Sequence, residues 1–96
     1  MEVIRVSSRS SPTSVAGAMA GVVRSGGSAE IHVVGAGALN QAMKALAIAR
    51  SYTADEGYDL WCAPSFADVE IDGEARTAIR LIIESRPSEH RLLELA

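Results

Sequence analysis

Short apolar runs alternate along this chain with two longer stretches of helical period. Val3, Ile4 and Val6 form a first brief strand. Residues 7–14 are rich in hydroxyls and carry one charge, Arg9. Ser11 followed by Pro12 marks a helix start, because a serine caps the first turn and proline suits the first helical position. Val15, Met19, Val22 and Val23 then recur as the stripe of a helix over residues 12–25, which Gly26-Gly27 ends. On this helix Gly17 and Gly21 lie a turn apart among alanines. That small surface costs helix propensity and is expected to admit a close neighbour, either the sheet or a second subunit.

Residues 30–34 read as the second strand. Two glycines, Gly35 and Gly37, lead into a second helix over residues 38–51. Its face is Leu39, Ala42, Met43, Leu46 and Ala49, flanked by Gln41, Ala45, Ile48 and Tyr52. Only Asn40, Lys44 and Ser51 form a polar strip, so the sheet and a partner are expected to cover most of this helix. Residues 59–64 make a third strand, with Pro64 pointing to an edge or a bulge. Residues 65–71 alternate towards an Asp72-Gly73 turn, and residues 75–84 return. Parity favours an odd-length loop, which would set Val69 and Ile71 with Ala75, Thr77 and Ile79, and Glu70 opposite Arg76. The predicted fold is a two-layer α+β arrangement, β-α-β-α-β-β. It has a four-stranded mixed sheet with both helices on one face and a hairpin able to project as an arm.

Ninety-six residues suffice for one domain, expected over residues 1–86 with a tail over 87–96. The net charge of −3 excludes broad electrostatic capture of nucleic acid, leaving a local patch as the only route. The single cysteine, Cys62, sits in an apolar run and reads as a small buried hydrophobe of a reducing compartment. Neither a signal pattern nor a membrane-length apolar run is present, so a cytoplasmic location without membrane contact is expected.

The sequence around Gly35 and Gly37 begins like a dinucleotide fingerprint, but Asn40 stands where the third glycine belongs. Two roles remain for it: a turn that lets the helix dock tightly, or backbone N–H groups offered to a phosphate. Asp68, Glu70 and Asp72 resemble the front of a calcium loop, yet the closing acid would fall at Ile79. They read instead as a solvated strand face partnered by Arg76 and Arg80. His32 is a sheet residue and His90 lies in the tail. With Cys62 alone they give no zinc spacing, and no serine sits in a nucleophile motif. No enzyme activity and no cofactor are expected. Arg9, Lys44 and Arg76 form a small basic site if they meet on one surface of a dimer; the alternative is scattered solvated charge.

Residues 2–7, 14–22, 29–31, 35–50 and 71–79 together resemble the stage V sporulation protein S family. The longest of these segments reads Gly-Ala-Gly-Ala-Leu-Asn-Gln-Ala-Met-Lys-Ala-Leu-Ala-Ile-Ala-Arg. The likeness extends to Arg86. That family is similar in fold to the archaeal chromatin protein Alba. The resemblance implies a dimer, or a tetramer, that binds DNA or RNA. It implies contact through the loop before the first helix, the turn into the second helix, and the hairpin of residues 68–76. The nucleic-acid-binding residues so expected are Arg9, Ser10, Ser11, Gly35, Gly37, Asn40 and Arg76, to which the exposed strip of the second helix adds Lys44. The alternative is a non-catalytic protein–protein adaptor, which the negative balance and the neutral residues around Gly37 favour.

Overall fold

A computed structural model describes residues 2–88. The order is β1 (Glu2–Arg5), α1 (Pro12–Arg24), β2 (Ala29–Val33), α2 (Ala36–Ala54), β3 (Tyr58–Ile71) and β4 (Glu74–Pro87). The strands form one mixed sheet, ordered β1-β2-β4-β3. β1 and β2 are parallel, and β4 runs antiparallel between β2 and β3. This is the two-layer β-α-β-α-β-β arrangement expected from the pattern.

Register explains the core. Ile31 pairs with Leu81, Ala29 with Ile83 and Cys62 with Ile83, so these residues share one face of the sheet. Against them pack Val15, Met19, Val22 and Val23 of α1 and Ala42, Ala45, Leu46 and Ala49 of α2. Ser11 caps α1 as its sequence requires: its hydroxyl oxygen accepts the Ser14 N–H at 3.3 Å, and Pro12 opens the helix. The inward line of α2 is made largely of alanine, which lets the two helices lie close together and turns Met43 outward to 36% exposure. Met43 is therefore surface rather than core. Thr53 is fully buried, and its hydroxyl donates to the Ala49 carbonyl at 3.3 Å.

Four expectations need correction. First, α2 starts at Ala36 and ends at Ala54, longer at both ends than the apolar stripe implied. Second, the hairpin loop has two residues. Ile71 pairs with Glu74, Glu70 with Ala75 and Val69 with Arg76. Asp72 (φ 52°) and Gly73 (φ 79°) both take positive φ, which defines the tight type I′ turn that matches strand twist. Third, the arm acids are not partnered by Arg76 and Arg80, since Arg80 turns to Glu30 and Ser65 instead. Fourth, of the two neighbours expected for Gly17 and Gly21 the sheet is ruled out: both face open space within the chain, and a Cβ there would meet nothing within 4 Å. Pro64 lies in β3, an edge strand, as its missing N–H demands. The expected tail and His90 fall outside the described residues.

β2 pairs with β4 only as far as Val33 and Ile79, whereas β3 and β4 continue pairing to Ile71 and Glu74. The last part of the hairpin thus has no third strand and stands beyond the sheet as an arm.

Candidate nucleic-acid interface

Three segments far apart in sequence meet at one end of the sheet. The first is the loop before α1, tied by its own hydroxyls. The Ser7 N–H donates to Ser10 Oγ at 2.9 Å, the Arg9 N–H to Ser7 Oγ at 3.2 Å, and the Ser10 N–H to the Ser7 carbonyl at 3.1 Å. Local hydroxyl–backbone bonding of this kind holds a short serine loop in one shape. The Arg9 side chain is left exposed on its outside. Ser10 and Ser11 use their hydroxyl oxygens to fasten the loop and to cap α1, so their first role is to build the platform.

The second segment is the turn into α2. Gly35 has φ 89° and ψ 160°, a region essentially closed to residues with a Cβ. The chain thereby reverses in one residue and the helix begins at once. The N–H groups of Ala36, Gly37 and Ala38 have no acceptor within the helix. No side chain caps this end and no acid lies in its first turn. The unpaired N–H groups fall at residues 36–38 rather than 38–40 because the helix starts earlier than its stripe suggests. Gly37 has a separate reason to be glycine. A Cβ there would sit 3.0 Å from Ser8 Cβ, so the α2 terminus and the first loop are in direct contact. Gln41 Nε2 reinforces this by donating to the Ser10 carbonyl at 3.0 Å. Asn40 is exposed beside it. Lys44 is one helical turn beyond Gln41 and also exposed.

The third segment is the arm. Asp68, Val69, Glu70 and Ile71 close one side of a cavity of about 620 Å³. Arg5, Val6, Ser7, Ser8, His32 and Val34 form the other side. Arg76 is the cross-strand partner of Val69, so it stands at the same place. The structure therefore sets the loop of Arg9, Ser10 and Ser11 against the α2 start at Gly35, Gly37 and Asn40, with Lys44 a turn further along the helix, while Arg76 stands apart on the arm.

The charge pattern separates these cations from the rest. Arg24 pairs with Glu56 at 2.9 Å, and Arg50 and Arg86 with Asp59 at 3.0 and 3.9 Å. The Arg86 guanidinium also stacks 5.4 Å from the Trp61 ring centre. On the sheet face away from the helices, Glu30 Oε1 accepts from His32 Nε2 at 2.9 Å and lies 3.5 Å from Arg80 Nε. The His32 hydrogen bond, helped by the Arg80 charge, holds the Glu30 carboxyl below its usual value despite partial desolvation. Among the described residues, Arg5, Arg9, Lys44 and Arg76 have no acidic partner. Three of these were expected. Arg5 was not, because its freedom depends on Glu30 being taken by His32 and Arg80.

Together the fold and this end define a small two-layer α+β protein with a projecting hairpin arm and a cation-bearing junction of loop, helix terminus and arm. A family model for Stage V sporulation protein S (SpoVS) matches residues 2–86. The chain belongs to that family. Among the described residues, no helix is long and apolar enough to cross a membrane.

Proposed function

We propose that this protein is a small self-associating regulator that binds nucleic acid, DNA or RNA, and carries out no catalysis of its own. One observation carries the reading: Arg9 stands in the loop that packs against the uncapped start of α2, Lys44 lies further along that helix, and neither has an acidic partner, while Arg24, Arg50, Arg80 and Arg86 are spent on local pairs. A phosphate at that terminus would accept from backbone N–H groups and sit in the favourable end of the helix dipole. Arg9, Lys44 and Arg76 would contact neighbouring phosphates. Self-association doubles this small patch, and the small-residue surface of α1 at Gly17 and Gly21 is open to such a contact.

Mobility-shift titration at low salt with duplex DNA, single-stranded DNA and RNA tests the proposal. Retardation by roughly ten micromolar protein is expected with at least one of them. Absence of a shift with all three would refute it. Light scattering of the same sample is expected to give a mass of two or four chains.

A protein–protein adaptor is the second reading. It draws on the arm, which carries Asp68, Glu70, Asp72 and Glu74 along with an exposed Ile71, and on Phe66 at 78% exposure. That combination suits a basic, apolar partner surface better than a phosphate backbone.

A further inference from the structure

The cavity beneath the arm is not built for phosphate alone. Register places Arg5, His32, Arg80 and Ser65 in one row on the sheet face away from the helices. Val34, two residues after His32, continues on that face, as do Val69 and Ile71 beyond Ser65. All of Val34, Val69 and Ile71 line the cavity. These three give it an apolar wall; Arg5, which has no acidic partner, lines it beside His32, and Arg76 is the cross-strand partner of Val69 on the arm. Ser7 and Ser8 add hydroxyls at the rim. At about 620 Å³ the space has the size of an ordinary small-ligand site.

A duplex cannot use such a shape. Its bases are stacked inside, and the surface it offers to a protein arm is sugar and phosphate. Asp68 and Glu70 at the cavity edge would repel that surface. A single strand is different. Its bases can be splayed out, buried against apolar side chains and covered by guanidinium planes, while the flanking phosphates meet cations.

We propose that this cavity takes one unstacked base of a single-stranded nucleic acid, with Val34, Val69 and Ile71 as its walls and Arg5 and Arg76 on the adjoining phosphates. The inference rests on the nucleic-acid reading above and narrows it to single strands. It assigns Arg5 a role.

Fluorescence anisotropy at low salt, with three labelled probes of equal length, tests it: a mixed-sequence single strand, its duplex, and the same strand with every base replaced by an abasic site. The single strand is expected to bind about tenfold more tightly than either of the others. Equal binding of all three would overturn the base-in-cavity inference while leaving nucleic-acid binding intact. No binding of any probe would overturn both. A Val69→Ser variant adds a check on the protein side. It is expected to lose most of the single-strand preference while keeping its duplex affinity, with circular dichroism confirming the fold. If Val69→Ser retains the full preference, the cavity is not the base site.

Discussion

Replacing Gly35 by alanine perturbs the turn on which the junction depends, and the structure fixes what to expect. At φ 89° and ψ 160° a Cβ is strained whatever space surrounds it, and here nothing lies within 4 Å. Strain is therefore the whole effect, without a clash. It costs about 1–3 kcal/mol. The stiffer unfolded chain returns about 0.4–1 kcal/mol, so a net loss of roughly 1–2 kcal/mol is expected. In a domain of this size that lowers Tm by about 5–15 °C. Gly37→Ala is the matched contrast. Its backbone is helical, so alanine gains up to about 1 kcal/mol in propensity. Its Cβ, however, would press on Ser8 Cβ at 3.0 Å and displace the Arg9 loop. Gly37→Ala alone should be near neutral, and in a Ser8→Gly background it should become stabilising. Urea unfolding of the four members of that cycle, together with Gly35→Ala, measures all of this. A Gly35→Ala protein within about 0.5 kcal/mol of the parent would refute the strained turn. Additivity of Ser8→Gly and Gly37→Ala would refute the contact between loop and helix.

Three further outcomes follow from the same geometry. Ile83→Ala, in the centre of the sheet and fully buried, should destabilise by about 2–5 kcal/mol in urea titration, whereas Phe66→Ser at the exposed edge should change stability by less than about 0.5 kcal/mol. Glu30, whose carboxyl is held below its ordinary value of 4.5 by His32 and then Arg80, contributes stability that is present above that value and is lost as pH falls through the depressed one. The urea midpoint of the parent should therefore drop more steeply below about pH 4.5 than that of Glu30→Gln. Gly73→Ala strains a type I′ turn and should speed amide exchange in the arm while leaving exchange in Ile31 and Leu81 unchanged.

The elements were legible because their periods are clean. The Val15, Met19, Val22, Val23 stripe and the Ser11-Pro12 start needed no tertiary information, and Pro64 announced an edge strand. The hairpin register was not legible from parity, for a physical reason. Parity works when one face of a strand is buried, and beyond Ile79 the arm has no third strand and residues 71–77 are all exposed. Turn chemistry at Asp72-Gly73 was the stronger signal there, and it specifies a two-residue loop. The start of α2 was missed because Ala36 and Gly37 add nothing to an apolar stripe. At the junction, Arg9, Lys44 and Arg76 could be picked from their places in the loop before α1, on the polar strip of α2 and just past the hairpin turn. Arg5 could not, since its lack of an acidic partner depends on Glu30 being taken by His32 and Arg80. The cavity was equally out of reach, because it forms between segments more than thirty residues apart, Ser7 and Ser8 against residues 68–71.

The salt dependence of binding tests the central claim most directly. Each phosphate contact contributes about 0.7–0.9 to the slope of log K against log salt, so removing three should reduce that slope by about 2–3. Measured on the parent and on the Arg9→Ala, Lys44→Ala, Arg76→Ala triple variant, the account predicts that difference together with a loss of affinity at every salt concentration. Identical slopes would contradict it, because the junction would then hold none of the phosphates that bind.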